Sequence, residues 1–391
     1  MTNVYIISGM RTALGGFQGE LSSIAAPKLG GIAIKAALER AGLDGCTVDE
    51  VMMGNVLSAG LGQAPARQAS LLGGLPNTVP CTTVSKVCGS GMKAVMIAAD
   101  TIDAGRAEVI VAGGMESMSN APYLLGKARG GYRLGHGEIK DHMFLDGLED
   151  AYEHRLMGTY AEDAAHHYQL SREDQDAYAA RSLMRAKEAS EKGYFKDEIT
   201  PIQIVVKSGE RVFEVDEQPQ KADPARIPKL KPAFSNDGTV TAANSSSISD
   251  GAAALTLAGE RAVSAHGLRP IARLVAQASY AQEPRWFTTA PVEAIGRALK
   301  LAKWTSDEVD LFEINEAFAN VAMIAMRELE LPDEKVNVNG GACALGHPIG
   351  ASGARIIVTL LNALRHRGGR KGVASLCIGG GEATAIAVEI I

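Results

Sequence analysis

The two ends of this 391-residue chain repeat one pattern, and that repeat restricts the possible folds more than composition does. Ile32 to Ala41 is an Ala-rich helical stretch, followed by Asp49-Glu50-Val51, a short apolar run and Asn55. Ala294 to Ala302 is also helical, followed by Asp307-Glu308-Val309, an apolar run and Asn315. Each half then offers a small-residue turn (Gly89-Ser90-Gly91; Ala351-Ser352-Gly353), a long apolar-faced helix and a strand ending in glycines, Glu108 to Gly114 and Gly372 to Gly380. The offset stays at roughly 260 residues, which unrelated helices would not maintain. Strand and helix alternate in both halves. Each half is therefore expected to be a layered α/β unit, the duplication stacking helices between two sheets, with Met1 to Gly9 as the first strand.

Asn120 to Asn244 breaks the repeat and is too long for a structureless loop. It contains a helical stretch, Ser171 to Lys192, opened by a capping box, Ser171-Arg172-Glu173-Asp174. The apolar run Ala253 to Leu257 then returns to the first unit. The expected division is residues 1–119 with 245–269, an inserted domain 120–244, and a second unit 270–391.

A net charge of −6 argues against general nucleic-acid binding, and no apolar run is long enough to span a bilayer. A cytoplasmic protein is expected. The five cysteines lack zinc-ribbon spacing, and His166 and His167, adjacent on a helix, point apart, so no metal site is expected. The glycine-rich stretches are not nucleotide fingerprints either, which gives no indication of NAD or ATP.

Chemistry concentrates at three glycine-flanked positions. Cys88 precedes a helix read from about Gly89 to Ala104; a thiol at that end can have a lowered pKa, although a structural cysteine is an alternative. His347, in the glycine-dense loop Gly340 to Gly353, can take the Cys88 proton or can be a loop histidine bonded to backbone. Cys377 ends a strand before Gly379, Gly380 and Gly381, whose N–H groups suit an oxyanion hole; a core cysteine is the alternative. Asn315 can cap the following helix or can fix a water opposite His347.

The segments Val87-Cys88-Gly89-Ser90-Gly91-Met92, Gly113-Gly114-Met115-Glu116-Ser117-Met118-Ser119, Asn315-Glu316-Ala317-Phe318, Asn337-Val338-Asn339-Gly340-Gly341, Gly346-His347-Pro348-Ile349-Gly350 and Cys377-Ile378-Gly379-Gly380-Gly381, in this order, resemble the thiolase family over the whole chain, most of all its acetyl-CoA acetyltransferase branch. The resemblance implies a duplicated α-β-α-β-α fold with an inserted loop domain that binds coenzyme A. It implies reversible condensation of two acetyl-CoA into acetoacetyl-CoA and CoA, with CoA a substrate and no separate cofactor. Cys88 would be the acylated nucleophile, His347 its activator and Cys377 the group that moves the α-carbon proton. Asn315 would hold a water that joins His347 in one oxyanion hole, and the N–H groups of Cys88 and Gly379 would form another. Leu148, Met157, Lys221, Phe234, Ser246, Ser247, Phe287 and Phe318 would contact the CoA thioester. A homotetramer, a dimer of dimers, is implied, with Leu125 to Asp141 joining the dimers.

Two departures stand out. Leu156-Met157-Gly158 has leucine where the branch usually has histidine, and Pro219, Gln220 and Lys221 occupy the region of an adenine-side arginine. A degradative thiolase acting on longer or 2-methyl-branched 3-ketoacyl-CoA is therefore the alternative, and a catalytically silent acyl-CoA-binding relative the rival of another class.

Overall fold

In the computed structural model, which describes residues 3–206 and 209–391, most of the chain folds around one mixed sheet. Met1 and Thr2, where the expected first strand begins, lie outside the described residues. The principal strands are β1 (Val4–Thr12), β2 (Glu50–Gly54), β3 (Cys81–Val84), β4 (Val109–Ser117), β5 (Ser249–Gly259), β6 (Ala272–Ala281), β7 (Leu311–Ile314), β8 (Lys371–Ile378) and β9 (Glu382–Ile390). Their spatial order is β7-β8-β9-β6-β1-β5-β4-β2-β3.

The duplication is visible in that order. From β1 outward, β5 and β4 are antiparallel neighbours and β2 joins β4 in parallel. From β6 outward, β9 and β8 are antiparallel neighbours and β7 joins β8 in parallel. The expectation of two separate sheets needs one correction. The half-sheets are continuous through a short antiparallel junction of β1 and β6, Val4 opposite Leu274 to Ile6 opposite Ala272. The repeat register is also corrected: Asp49 corresponds to Asp310, not Asp307. Asp49 Oδ2 accepts the N–H groups of Glu108 and Val109 at 2.7 and 2.9 Å, and Asp310 Oδ2 those of Arg370 and Lys371 at 2.7 and 2.8 Å. Each aspartate thus anchors the start of its half's equivalent strand.

Two helices occupy the space between the half-sheets, α2 (Ser90–Asp103) and α7 (Ser352–Arg367). Met92, Val95, Ile356 and Leu360 pack there with Leu255 and Ile110 of one half and Leu376 and Ile386 of the other. Outside the first half lies α1 (Ala26–Ala41), and outside the second lie α5 (Ala290–Ala302) and α6 (Ala319–Glu328). The layers are α-β-α-β-α. Strands covered on both faces must be apolar throughout, and β5 is buried along its whole length with mainly small side chains that let helices approach. Helices α1 and α5 begin earlier than their apolar periodicity suggests, because Pro27 and Pro291 sit in the first turn, where a missing N–H breaks no helical bond.

The stretch between β4 and β5 carries α3 (Met157–His167) and α4 (Arg172–Glu191). Ser171 Oγ accepts the Asp174 N–H at 3.0 Å and so caps α4. This region is fastened to the first half by a wholly buried ion cluster: Arg11 bonds Glu198 at 2.6 Å and both oxygens of Asp216 at 2.7 and 2.8 Å. Removing one member leaves buried charge without a partner, at a cost of about 3–5 kcal/mol. Arg11→Ala is therefore expected to lower the urea midpoint by that equivalent and to expose residues 120–244 to limited proteolysis; a wild-type midpoint would show that the cluster does not hold the fold together.

Candidate active site

Cys88 is presented by a strained turn. Val87 has φ of 45°, unusual for a β-branched residue, and the turn is held by Ser90 Oγ, which donates to Val87 O at 2.6 Å and accepts from Lys86 N at 2.8 Å. A side chain at Gly89 would put its Cβ 2.3 Å from Ile378 Cδ1, so the missing side chain brings the Cys88 turn against the end of β8. The N–H groups of Gly379 and of Cys88 itself consequently reach the Cys88 sulfur. Helix α2 starts at Ser90, one residue later than expected.

The expected depression of the Cys88 pKa is not found. Burial pushes the thiol up to about 11, Glu116 adds to the rise, and the two backbone N–H groups offset only part of it. His347, buried and near the Arg355 guanidinium, is pushed down to about 3. At neutral pH the thiol and the imidazole are both uncharged. Desolvation of both groups outweighs the helix-terminus effect expected from sequence.

His347 is oriented by a partner that sequence reasoning missed. Its Nδ1 lies 2.6 Å from Ser352 Oγ, the first residue of α7. The Ser352 hydroxyl donates to Pro348 O at 3.0 Å, so its oxygen accepts the Nδ1 proton and leaves Nε2 unprotonated. Nε2 lies 3.5 Å from Asn315 Nδ2. Gly346 precedes His347 with φ of 104°, and a Cβ there would lie 2.1 Å from Ser249 Oγ. The capping alternative for Asn315 is ruled out, since α6 begins only at Ala319. Asn315 is buried, and its Oδ1 has no hydrogen-bond partner among the described residues.

Cys377 is fully buried at the end of β8, close enough to Cys88 that a thiolate there would push it up further; burial already holds it well above the ordinary thiol range.

Two buried carboxylates, unremarked in the sequence, fasten the loops. Glu116 accepts the N–H groups of Val56 and Gly350, each at 3.0 Å, that of Leu57 at 3.2 Å, and the Asn55 amide at 2.8 Å. Burial raises its pKa to about 7. Glu316 accepts from Tyr178 and Ser182 of α4 at 2.9 and 2.7 Å, from Asn337 at 2.8 Å and from Cys343 N at 3.1 Å. The motifs Gly113 to Ser119 and Asn315 to Phe318 contain these glutamates, but nothing local marks what they hold.

A cavity of about 360 Å³ opens over this chemistry. Cys88, His347 and Gly379 face it, together with Leu148, Leu156, Met157, Phe234, Ser246, Ser247, Phe287 and Phe318. Cys377 and Asn315 lie buried behind Cys88 and His347. Lys221 lies apart, in a second cavity, with its ammonium paired to Glu217.

This architecture matches known proteins along its full length. The thiolase N-terminal domain family matches residues 4–261 and the thiolase C-terminal domain family residues 268–390. Acetyl-CoA acetyltransferase 2 of Arabidopsis thaliana is 52% identical, the alignment covering 100% of this chain and 97% of the relative. Acetyl-CoA acetyltransferase of Escherichia coli strain K12 is 51% identical, covering 100% and 99%. The crystal structure of the Bacillus anthracis acetyl-CoA acetyltransferase superposes with a TM-score of 0.97 at 42% identity, covering 100% of this chain and 99% of that one. With both domains matched in order and half the residues shared with such relatives, the chain belongs to the thiolase family.

Proposed function

We propose that the protein is an acetyl-CoA C-acetyltransferase, reversibly joining two acetyl-CoA molecules into acetoacetyl-CoA and free CoA through an acetyl-enzyme. The reading rests on one arrangement: a thiol and a neutral imidazole facing one apolar cavity, a second thiol buried behind the first, and two N–H groups at the first sulfur. Cys88 attacks the thioester carbonyl while His347 Nε2 takes its proton; the carbon–sulfur bond to CoA breaks and the departing sulfur takes that proton. The N–H groups of Cys88 and Gly379 stabilise the intervening oxyanion.

The Cys377 thiolate then removes a methyl proton from a second acetyl-CoA. The resulting enolate, its oxygen toward the Asn315 amide, attacks the acetyl carbon on Cys88, whose oxygen again takes up charge at the N–H groups of Cys88 and Gly379, and Cys88 leaves, recovering a proton from Cys377. Burial makes the Cys377 thiolate scarce but strongly basic, which suits it to a weakly acidic C–H bond. CoA enters and leaves as a substrate, against the apolar side chains of Leu148, Met157, Phe234, Phe287 and Phe318.

The same proposal places the enzyme in the cytoplasm as a homotetramer. Among the described residues no helix is long and apolar enough to cross a membrane. Tyr123–Leu124 pairs with Lys140–Asp141 at the base of an arm whose Leu125, Leu134 and Ile139 are 52%, 98% and 67% exposed, as a dimer-joining contact needs.

Iodoacetamide reports the resting state of Cys88. With the thiol held near 11 and the imidazole near 3, the alkylation rate is expected to climb about tenfold per pH unit from about pH 6 to 9. A plateau in that window would mean a standing thiolate–imidazolium pair. Intact mass after incubation with acetyl-CoA tests the roles: Cys88→Ser is expected to carry no acetyl adduct, whereas Cys377→Ala carries one but no longer exchanges acetyl-CoA methyl protons with deuterated solvent. An adduct on the serine variant, or exchange at the wild-type rate in the alanine variant, would reassign the residue concerned. Deleting residues 125–141 is expected to give a dimer in light scattering; an unchanged tetramer would place the contact elsewhere.

A further inference from the structure

Gly350 is held from both sides where the two halves meet. It follows His347 by three residues and precedes by two Ser352, whose Oγ lies 2.6 Å from His347 Nδ1. Its carbonyl oxygen rests against the first half: a Cβ on Gly54, Gly91 or Gly114 would lie 2.7, 3.0 and 2.0 Å from it. Its N–H bonds Glu116 Oε2 at 3.0 Å, and a Cβ on Gly350 itself would lie 2.6 Å from that oxygen. The other bonds of the carboxylate run to residues 55–57. Oε2 accepts Val56 N at 3.0 Å, and Oε1 accepts Leu57 N at 3.2 Å and the Asn55 amide at 2.8 Å. Leu57 and Ile349 pack in one apolar cluster, with Val56 and Cys88 against it. One carboxylate thus ties the loop of the base to a segment that shares an apolar cluster with the nucleophile. All four of its partners are donors, and Glu116 is fully buried with no cation at ion-pair distance among the described residues. An ionised carboxylate accepts all four bonds, whereas a proton on either oxygen would face an N–H group, and a glutamine amide would set its own N–H groups against two of the donors.

We propose that Glu116 is a positioning residue for acetyl transfer, its carboxylate setting His347 against Cys88 by fixing Gly350. This role rests on the acetyl-CoA reading above. Burial raises the Glu116 carboxyl to about 7, its backbone donors offset only part of the rise, and Asp250 on the adjacent strand β5 adds to it. The Cys88 thiol also faces Glu116 but stays protonated, near 11, and the His347 imidazole stays neutral, near 3. Residues 55–57 and 348–351 carry no titratable side chain. As the pH falls through about 7, Glu116 therefore gains a proton, its hold on Gly350 weakens, and acetyl transfer slows before the imidazole itself titrates.

The test follows acetylation of Cys88 by acetyl-CoA in a single turnover, read by intact mass from about pH 5.5 to 8.5. In the wild type the rate is expected to be level above about pH 7 and to fall about tenfold per pH unit below it. Glu116→Gln is expected to acetylate about 100-fold more slowly at about pH 8, with no inflection near 7. Its Cys88 is nonetheless expected to react with iodoacetamide at least as fast as in the wild type, because alkylation needs the thiolate and not the base, and a negative charge near the thiol is gone. A glutamine variant that keeps the inflection, or that loses both reactions equally, overturns the assignment. So does a wild-type acetylation rate that stays constant through pH 7, a result that does not depend on the variant folding. Wild-type protein that takes up no acetyl group at any pH overturns the acetyl-CoA reading itself, and this inference with it.

Discussion

The site depends on how closely the first turns of α2 and α7 approach. A Cβ on Gly353 would lie 2.4 Å from Met92 N, and one on Gly91 would lie 2.9 Å from Ala354 N. Two glycines, one from each half of the duplication, therefore allow the helices to meet where both begin. Cys88 stands just before one helix, and Ser352, which orients His347, opens the other. A methyl group at either glycine would push the helices apart and separate nucleophile from base. Both positive helix ends also point into the same region, which favours an oxyanion there and disfavours an imidazolium.

That field agrees with the resting protonation of the site. Burial disfavours every charge: it holds the Cys88 thiol protonated, the imidazole neutral and the Cys377 thiol protonated. Arg355, whose guanidinium bonds Glu313 at 3.0 Å within the core, adds to the pressure against an imidazolium. The donors at the Cys88 sulfur are in place before any charge exists, so they need little rearrangement when a thioester oxygen becomes anionic. A cysteine activated in advance would be alkylated or oxidised by any small electrophile that reached it. A pair that transfers its proton only when an acyl carbon is present restricts reactivity to the bound substrate.

Features carried by short-range pattern are legible in the sequence, and features carried by distant partners are not. The duplication, the layer order, and Cys88, His347 and Cys377 can be read because glycines gather beside reactive side chains and because helices and strands recur at one offset. The continuity of the sheet cannot be read, since it depends on three residue pairs between β1 and β6, and a stretch that includes Tyr5 and Arg273 would suit an edge equally well. Asp307-Glu308-Val309 imitates Asp49-Glu50-Val51, and only the bonds of Asp310 to Arg370 and Lys371 reveal the true correspondence. The thiol pKa is misjudged from sequence because a helix terminus is visible there and the depth of burial is not. Glu116 escapes notice for a related reason, as its bond to Gly350 spans 234 positions.

Glu316 shows what these long-range bonds achieve. It follows Asn315 in the chain, so whatever holds its carboxylate also limits the movement of the neighbouring amide. Two of its donors, Tyr178 and Ser182, come from α4, and a third, Asn337, from the segment beside β7. Arg11 fastens the inserted region to β1 at another point through Glu198 and Asp216. The region between β4 and β5, which supplies Met157 and Phe234 to the substrate cavity, is thus tied both to the first half's sheet and to the second half's Asn315 loop. A substrate arm lying along the inserted region is then in register with groups from both halves of the duplication. Tilting α4 would carry Tyr178 and Ser182 with it and so disturb the Asn315 loop, which couples the seating of the inserted region to the oxyanion geometry.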